Sequence, residues 1–262
     1  MATTEIATIE SGYPCLIANS RQARIIEANL DGETMREMDL IRVKTPLGGA
    51  TTWQVDVDGN TSTTDELVGV PVAIGKRGYL WPSLDPNEQK PVLESRDLQV
   101  ARRISDDLGT ISPESLEKFR VGDRLYDWAA ISTSAEFGFG SSKSGSKRVK
   151  ELRLLALLRP GEVWPVIVTI GPGSLPAWMP FAKRLPCFHY EAVIGLRLTK
   201  AKGAGGQPYS QITPRLVGQL SEEQGEVARR LYTEPLSRMF SAYAGAAAAG
   251  GVEKSEGDDT PF

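Results

Sequence analysis

Aromatic rings beside cations recur at three places in this 262-residue chain, and that pairing of residue types suits one kind of chemistry. An unpaired nucleobase offers two bare π faces that stack on aromatic rings, while the phosphates along a single strand need positive charge at intervals. The first cluster is Trp53 with Arg77, Tyr79 and Trp81. The second is Phe137-Gly138-Phe139-Gly140, two rings set between glycines. It runs into Lys143, Lys147, Arg148, Lys150 and Arg153, with Glu151 alone opposing them. The third is Arg197, Lys200 and Lys202 ahead of Gly203, with Tyr209 on the return strand. Cations so placed make binding salt-sensitive and mostly indifferent to base sequence. Each cluster also has an ordinary use. Trp53, Tyr79 and Trp81 are of the size that fills a core. The stretch 137–150 can be a solvated loop, and the basic hairpin can be an edge that discourages aggregation.

A fourth constellation is the tip Gly257-Asp258-Asp259-Thr260-Pro261-Phe262, behind a run of small residues from Ala244 to Gly251. A Phe behind a Pro, with two carboxylates just upstream, is a compact peptide ligand. The ring of Phe262 fills an apolar pocket, and the charges of Asp258 and Asp259 meet Lys or Arg at its rim. The plain alternative is an acidic tail that keeps the protein in solution. The tip resembles the end of bacterial and phage single-stranded DNA-binding proteins. In those proteins an acidic tail closing in Asp-Asp-x-Pro-Phe recruits replication and repair enzymes.

Catalysis finds little support. His189 is the one histidine, two residues from Cys187, but no partner acid or oxyanion motif accompanies the pair and the segment is apolar. Cys15 and Cys187 are too few for a zinc site or a disulfide framework, and fit a reducing cytosol. Gly203-Ala204-Gly205-Gly206 lacks the Gly-Lys-Ser/Thr sequence of a phosphate loop. Asp106-Asp107 and Asp56-Val57-Asp58 are the nearest approach to a carboxylate pair, and on loops such residues more often solvate turns than bind magnesium. No catalytic residue, metal or cofactor is therefore expected.

The formal charge is -3, and Glu253, Glu256, Asp258 and Asp259 against Lys254 place all of it in the last ten residues. Residues 1–252 are neutral overall, so their charges are free to segregate into faces. The amino-terminal residues are acidic and Thr-rich, unlike a signal peptide. No apolar run reaches membrane-spanning length. The expectation is a soluble protein of the bacterial host cytoplasm with no membrane partner; the residues specify no oligomeric state.

The elements that must hold these clusters are mostly strands. Residues 21–30 read as a short amphipathic helix. Leu40 to Lys44 and Thr51 to Val57 alternate as strand, turn and strand. Leu67 to Ile74 reads as a buried strand that Pro71 places at an edge or a bulge, and Arg77 to Trp81 continues the sheet. Asp97 to Asp107 is expected to hold a helix, and Ser112-Pro113-Glu114 to open another. Val149 to Leu158 returns to apolar periodicity, Trp164 to Ile170 is a strand, and Ser174 to Leu185 a helix. Tyr190 to Lys200 and Tyr209 to Gly218 form a hairpin about the Gly203–Gly206 loop. Ser221-Glu222-Glu223-Gln224 is a capping box that opens a helix to about Phe240. Residues 241–262 read as a flexible linker and acidic tip beyond one folded domain, 1–240.

The sum is a β-rich α+β fold with added helices, compatible with an OB-fold-like barrel. The order Gly-Val-x-Val, Arg-Gly-Tyr-Leu-Trp-Pro, Tyr209-Ser210 and Leu220-Ser221-Glu222-Glu223 resembles a family of proteins from phages and integrating elements, regarded as OB-fold single-stranded DNA binders. That resemblance spans most of residues 20–235. It implies a non-enzymatic protein that protects single-stranded DNA and recruits replication, recombination or repair proteins through its tip. The alternatives are a module that mimics the tail of a host DNA-binding protein, a strand-annealing factor, or a metal-dependent nuclease.

Overall fold

The computed structural model describes residues 12–30, 37–57, 60–83, 90–138, 148–203 and 206–241. Its organising element is one long strand, β4 (Glu66–Leu80). Alternating apolar residues bury both of its faces, and the register slips between Pro71 and Ala73, where Pro71 cannot donate to a ladder. Around β4 lie β1 (Arg42–Val43), β5 (Leu93–Ser95), β6 (Val100–Arg103), β7 (Arg120–Gly122), β8 (Leu125–Asp127), β9 (Val149–Leu158) and β10 (Val166–Ile170). With the hairpin β11 (Ala192–Lys202) and β12 (Pro208–Gln219) they form a ten-stranded mixed sheet. The main path runs β1-β10-β9-β4-β5-β6-β8-β7, and β11 pairs with the amino-terminal part of β4. Among the described residues its two ends do not meet. The expected β-rich α+β class is present, but the sheet is open rather than closed into a barrel.

Two strand expectations are corrected. Trp53–Val57 (β2) pairs with Asn60–Thr64 (β3) as a separate hairpin, while Arg42–Val43 runs parallel to β10 instead of beside Trp53. The helix expected over 97–107 is absent. Asp97 there accepts backbone N–H bonds from Gln99 and Val100 (2.8 and 3.0 Å), which turns the chain into β6.

Helices cover the sheet on both sides. On one side, α1 (Arg21–Leu30), α5 (Glu222–Ala228), a π turn (Arg229–Thr233) and α6 (Glu234–Ser241) pack over Val70, Ala73, Leu154 and Ala156. Ser221 and Gln224 make the reciprocal capping box that opens α5. On the other side, α4 (Leu175–Lys183) and the β2–β3 hairpin bury Trp53, Leu155, Val168, Trp178 and Leu196. A third core lies beneath α2 (Pro113–Glu117) and α3 (Trp128–Thr133), where Trp128 packs with Leu80, Leu93 and Tyr126. Two glycines of β4 set these layers: Phe240 occupies the space of a side chain at Gly75, and the Trp128 ring does so at Gly78. Among the described residues no helix is long and apolar enough to cross a membrane.

Candidate nucleic-acid interface

The helices over the first side of the sheet stop short of the carboxyl end of β4. Tyr79 and Lys150 are ladder partners there, Tyr79 pairs on its other side with Glu94, and Glu94 with Arg102. Directly paired residues share a face. Lys150, Tyr79, Glu94 and Arg102 therefore form one row across four strands, roughly 14 Å from end to end at strand spacing. Lys150 is exposed, and the other three are partly so. Arg102 has no ion pair among the described residues, whereas Glu94 is engaged by Arg77 Nε (3.5 Å) and Arg96 Nε (3.2 Å).

Trp81 closes the row. Its backbone N–H donates to the Arg148 carbonyl (3.0 Å), which fixes the residue just past the ladder. Lys150 Nζ stands 5.0 Å from the centre of its half-exposed ring, a cation–π contact. The enclosed indole N–H has no acceptor among the described residues. Arg148 is braced by bonds from its guanidinium to the Pro82 carbonyl (3.2 Å) and the Thr110 hydroxyl (2.8 Å). Burial, and then the Glu94 charge, push the Tyr79 phenol above its ordinary value, so it stays a neutral donor, with Glu94 at 3.5 Å. Two rings and three cations thus share one end of the sheet, an arrangement that can stack bases and neutralise phosphates.

The remaining candidates fare differently. Trp53 is fully buried, its indole N–H donating to the Leu196 carbonyl at 2.8 Å, so it is a core residue and offers no face to a base. Arg77 is also fully buried. Its guanidinium bonds the Phe240 carbonyl (2.7 Å) and Glu37 (2.6 Å) and lies over the Phe240 ring, which makes it a clamp on α6 instead of a phosphate contact. Phe137 is buried against Phe119, edge to face at 5.9 Å, because α3 delivers it into the third core. Phe139, Lys143 and Lys147 lie outside the described residues, as do Asp258, Asp259, Pro261 and Phe262.

The basic hairpin is divided between two faces. Arg197 lies on the side of the sheet that carries Tyr79, but at the other end of β4. There Glu66 braces it (3.4 Å) together with Arg215 (2.5 Å), and the hydrogen bond from Arg215 holds the Glu66 carboxyl below its ordinary range. Lys200 and Lys202 alternate onto the opposite face, beyond Leu196 and Leu198. The stem of Lys200 packs over Gly49, and Tyr209 packs on Gly173. Between Glu66 and Tyr79 lie thirteen strand steps, roughly 43 Å of sheet. The hairpin and the Trp81 cluster do not form one site.

Arg102 was not legible beforehand, because a helix over 97–107 would not have put it beside Tyr79. Cys187 and His189 do not make an activated pair: burial raises the thiol and lowers the imidazole, so both remain neutral. Among the described residues no group of three or more His, Cys, Asp or Glu could hold a metal ion. Compared with protein-family models, curated proteins and solved structures, the chain matches none.

Proposed function

We propose that this chain binds single-stranded DNA, with the Trp81–Tyr79–Lys150–Arg102 end of the sheet as the described part of its contact surface. The observation that carries the reading is the half-exposed indole with Lys150 over it, flanked by Arg148 and continued by Tyr79 and Arg102. Bases stack on the rings, phosphates meet the three cations, and neither contact distinguishes one base from another. Lys143 and Lys147 precede Arg148 in sequence and supply two further cations to the chain there. The resemblance to phage and mobile-element DNA binders supports this reading. An OB-type core, itself a partly open barrel, would then reside in the long ladders of β4, β9, β10, β11 and β12.

Recruitment of replication, recombination or repair proteins through Asp258, Asp259, Pro261 and Phe262 completes the proposal on the strength of their sequence. Titrating labelled oligonucleotides of equal length, one single-stranded and one duplex, at moderate salt tests the binding. Tighter binding of the single strand is expected, and equal or weaker binding would remove the proposal.

A further inference from the structure

Between α4 and β11 the chain makes a turn that holds an aromatic ring out in solvent. Phe188 is 64% exposed, the most exposed aromatic side chain among the described residues. Its backbone is pinned nonetheless. The Phe188 N–H donates to the Glu191 carboxylate (3.2 Å), and its carbonyl accepts from the N–H groups of Glu191 (2.9 Å) and Ala192 (3.1 Å). The ring lies parallel to that of Tyr190, with centroids 5.2 Å apart and planes within 7°. Tyr190 packs against the helix-side core, and His189 meets it edge-on at 5.3 Å. One face of Phe188 is thus covered by a ring that is itself supported, and the other face carries the exposure.

We propose that this turn is a second seat for an unpaired nucleobase, which would stack on the outer face of Phe188 and lengthen the Phe188–Tyr190 pile by one ring. The inference rests on the single-strand reading above but on none of its residues. A ring already fixed by its backbone and by Tyr190 gives up little freedom when a base settles on it. Positive charge for the flanking phosphates is close by. Lys183 and Arg184 end α4, are exposed, and have no ion pair among the described residues. Both lie within five residues of Phe188, at most roughly 18 Å along the chain. The neighbouring cation Arg229 is engaged by Glu226 and Glu234 and takes no part. A stable protein partner would need roughly 800 Å² on each side. One ring flanked by exposed Arg184 and Pro186 suits a nucleotide strand better than an apolar protein face.

The full chain, irradiated with a single-stranded oligonucleotide carrying 5-iodouracil, should crosslink within residues 185–191. Phe188→Ala should weaken binding of a long oligonucleotide roughly five- to 150-fold, the range expected for one base–aromatic stack, and Phe188→Trp should restore it. Wild-type affinity in Phe188→Ala, with crosslinks confined to the Trp81 region, would overturn this seat and leave the main proposal standing. Conversion of an oligomer to a smaller species by Phe188→Ala would also overturn it, by assigning the ring to contacts between copies. Failure of the unmodified protein to bind any single strand would remove both.

Discussion

At the scale of single residues, exposure separates rings that build the fold from rings that can meet a ligand. Trp53 and Trp81 are equally attractive in sequence, yet one donates its N–H to a buried carbonyl and the other has a lysine over a half-open ring. Substitution should part them. Trp53→Phe leaves the Leu196 carbonyl without its indole donor and is expected to lower stability by about 1–3 kcal/mol. A urea midpoint would register that loss, while oligonucleotide affinity should not change. Lys150→Ala should do the reverse. Losing one phosphate contact should reduce the slope of log affinity against log salt by roughly 0.7, the value for a single strand, with an unaltered urea midpoint. Glu66 supplies a pH test. Its carboxyl titrates below the ordinary range because Arg215 and Arg197 favour the charged form. A lowered folded value means that its contribution is present above the unfolded value, roughly pH 4.3, and is lost as pH falls through the folded one. Glu66→Gln should therefore flatten the acid side of the stability profile and leave it less stable than wild type at neutral pH.

Among the elements, those with strong periodicity or a capping signal were legible. The helix at 21–30, the strands 149–158 and 166–170, the long hairpin and the Ser221 capping box all stand where alternation or cap chemistry places them. Pro71 does mark a bulge. The pairing of β2 with β3 was missed because Thr45–Gly49 offered a competing turn that set Thr51–Val57 beside Leu40–Lys44. Arg102 was lost with the helix expected over 97–107, since a period error moves every side chain of the segment. The third core also went unseen, as its strands are only three or four residues long. Arg77 shows why a buried charge is not legible: only the folded chain brings Glu37, Glu94 and the end of α6 around it. Arg77→Met should cost about 1–3 kcal/mol, because it leaves the buried Phe240 carbonyl without its guanidinium donor, while Glu37 keeps Arg42 and Glu94 keeps Arg96. The loss should appear first as faster hydrogen exchange in α6, and unchanged exchange there would contradict the clamp.

Over the whole molecule, the charged surfaces are kept apart. The Trp81 row lies at one end of β4, the Glu66–Arg197–Arg215 group at the other, and helices cover the sheet between them. The tip at 258–262 lies outside the described residues, and its role is an independent part of the proposal. Deleting those five residues should abolish capture of replication or repair enzymes and leave DNA affinity unchanged or raised; a loss of affinity would contradict that division. Binding of single strands stands or falls with the sheet end itself. Its most direct test is the affinity of the Trp81→Ala, Lys150→Ala double variant for a single-stranded oligonucleotide by fluorescence anisotropy, with folding checked by its urea midpoint. A fall of at least tenfold is expected in a protein that remains folded, in line with roughly 1–3 kcal/mol for one stacked base and a further loss for one phosphate contact. Undiminished affinity in a folded double variant would contradict it.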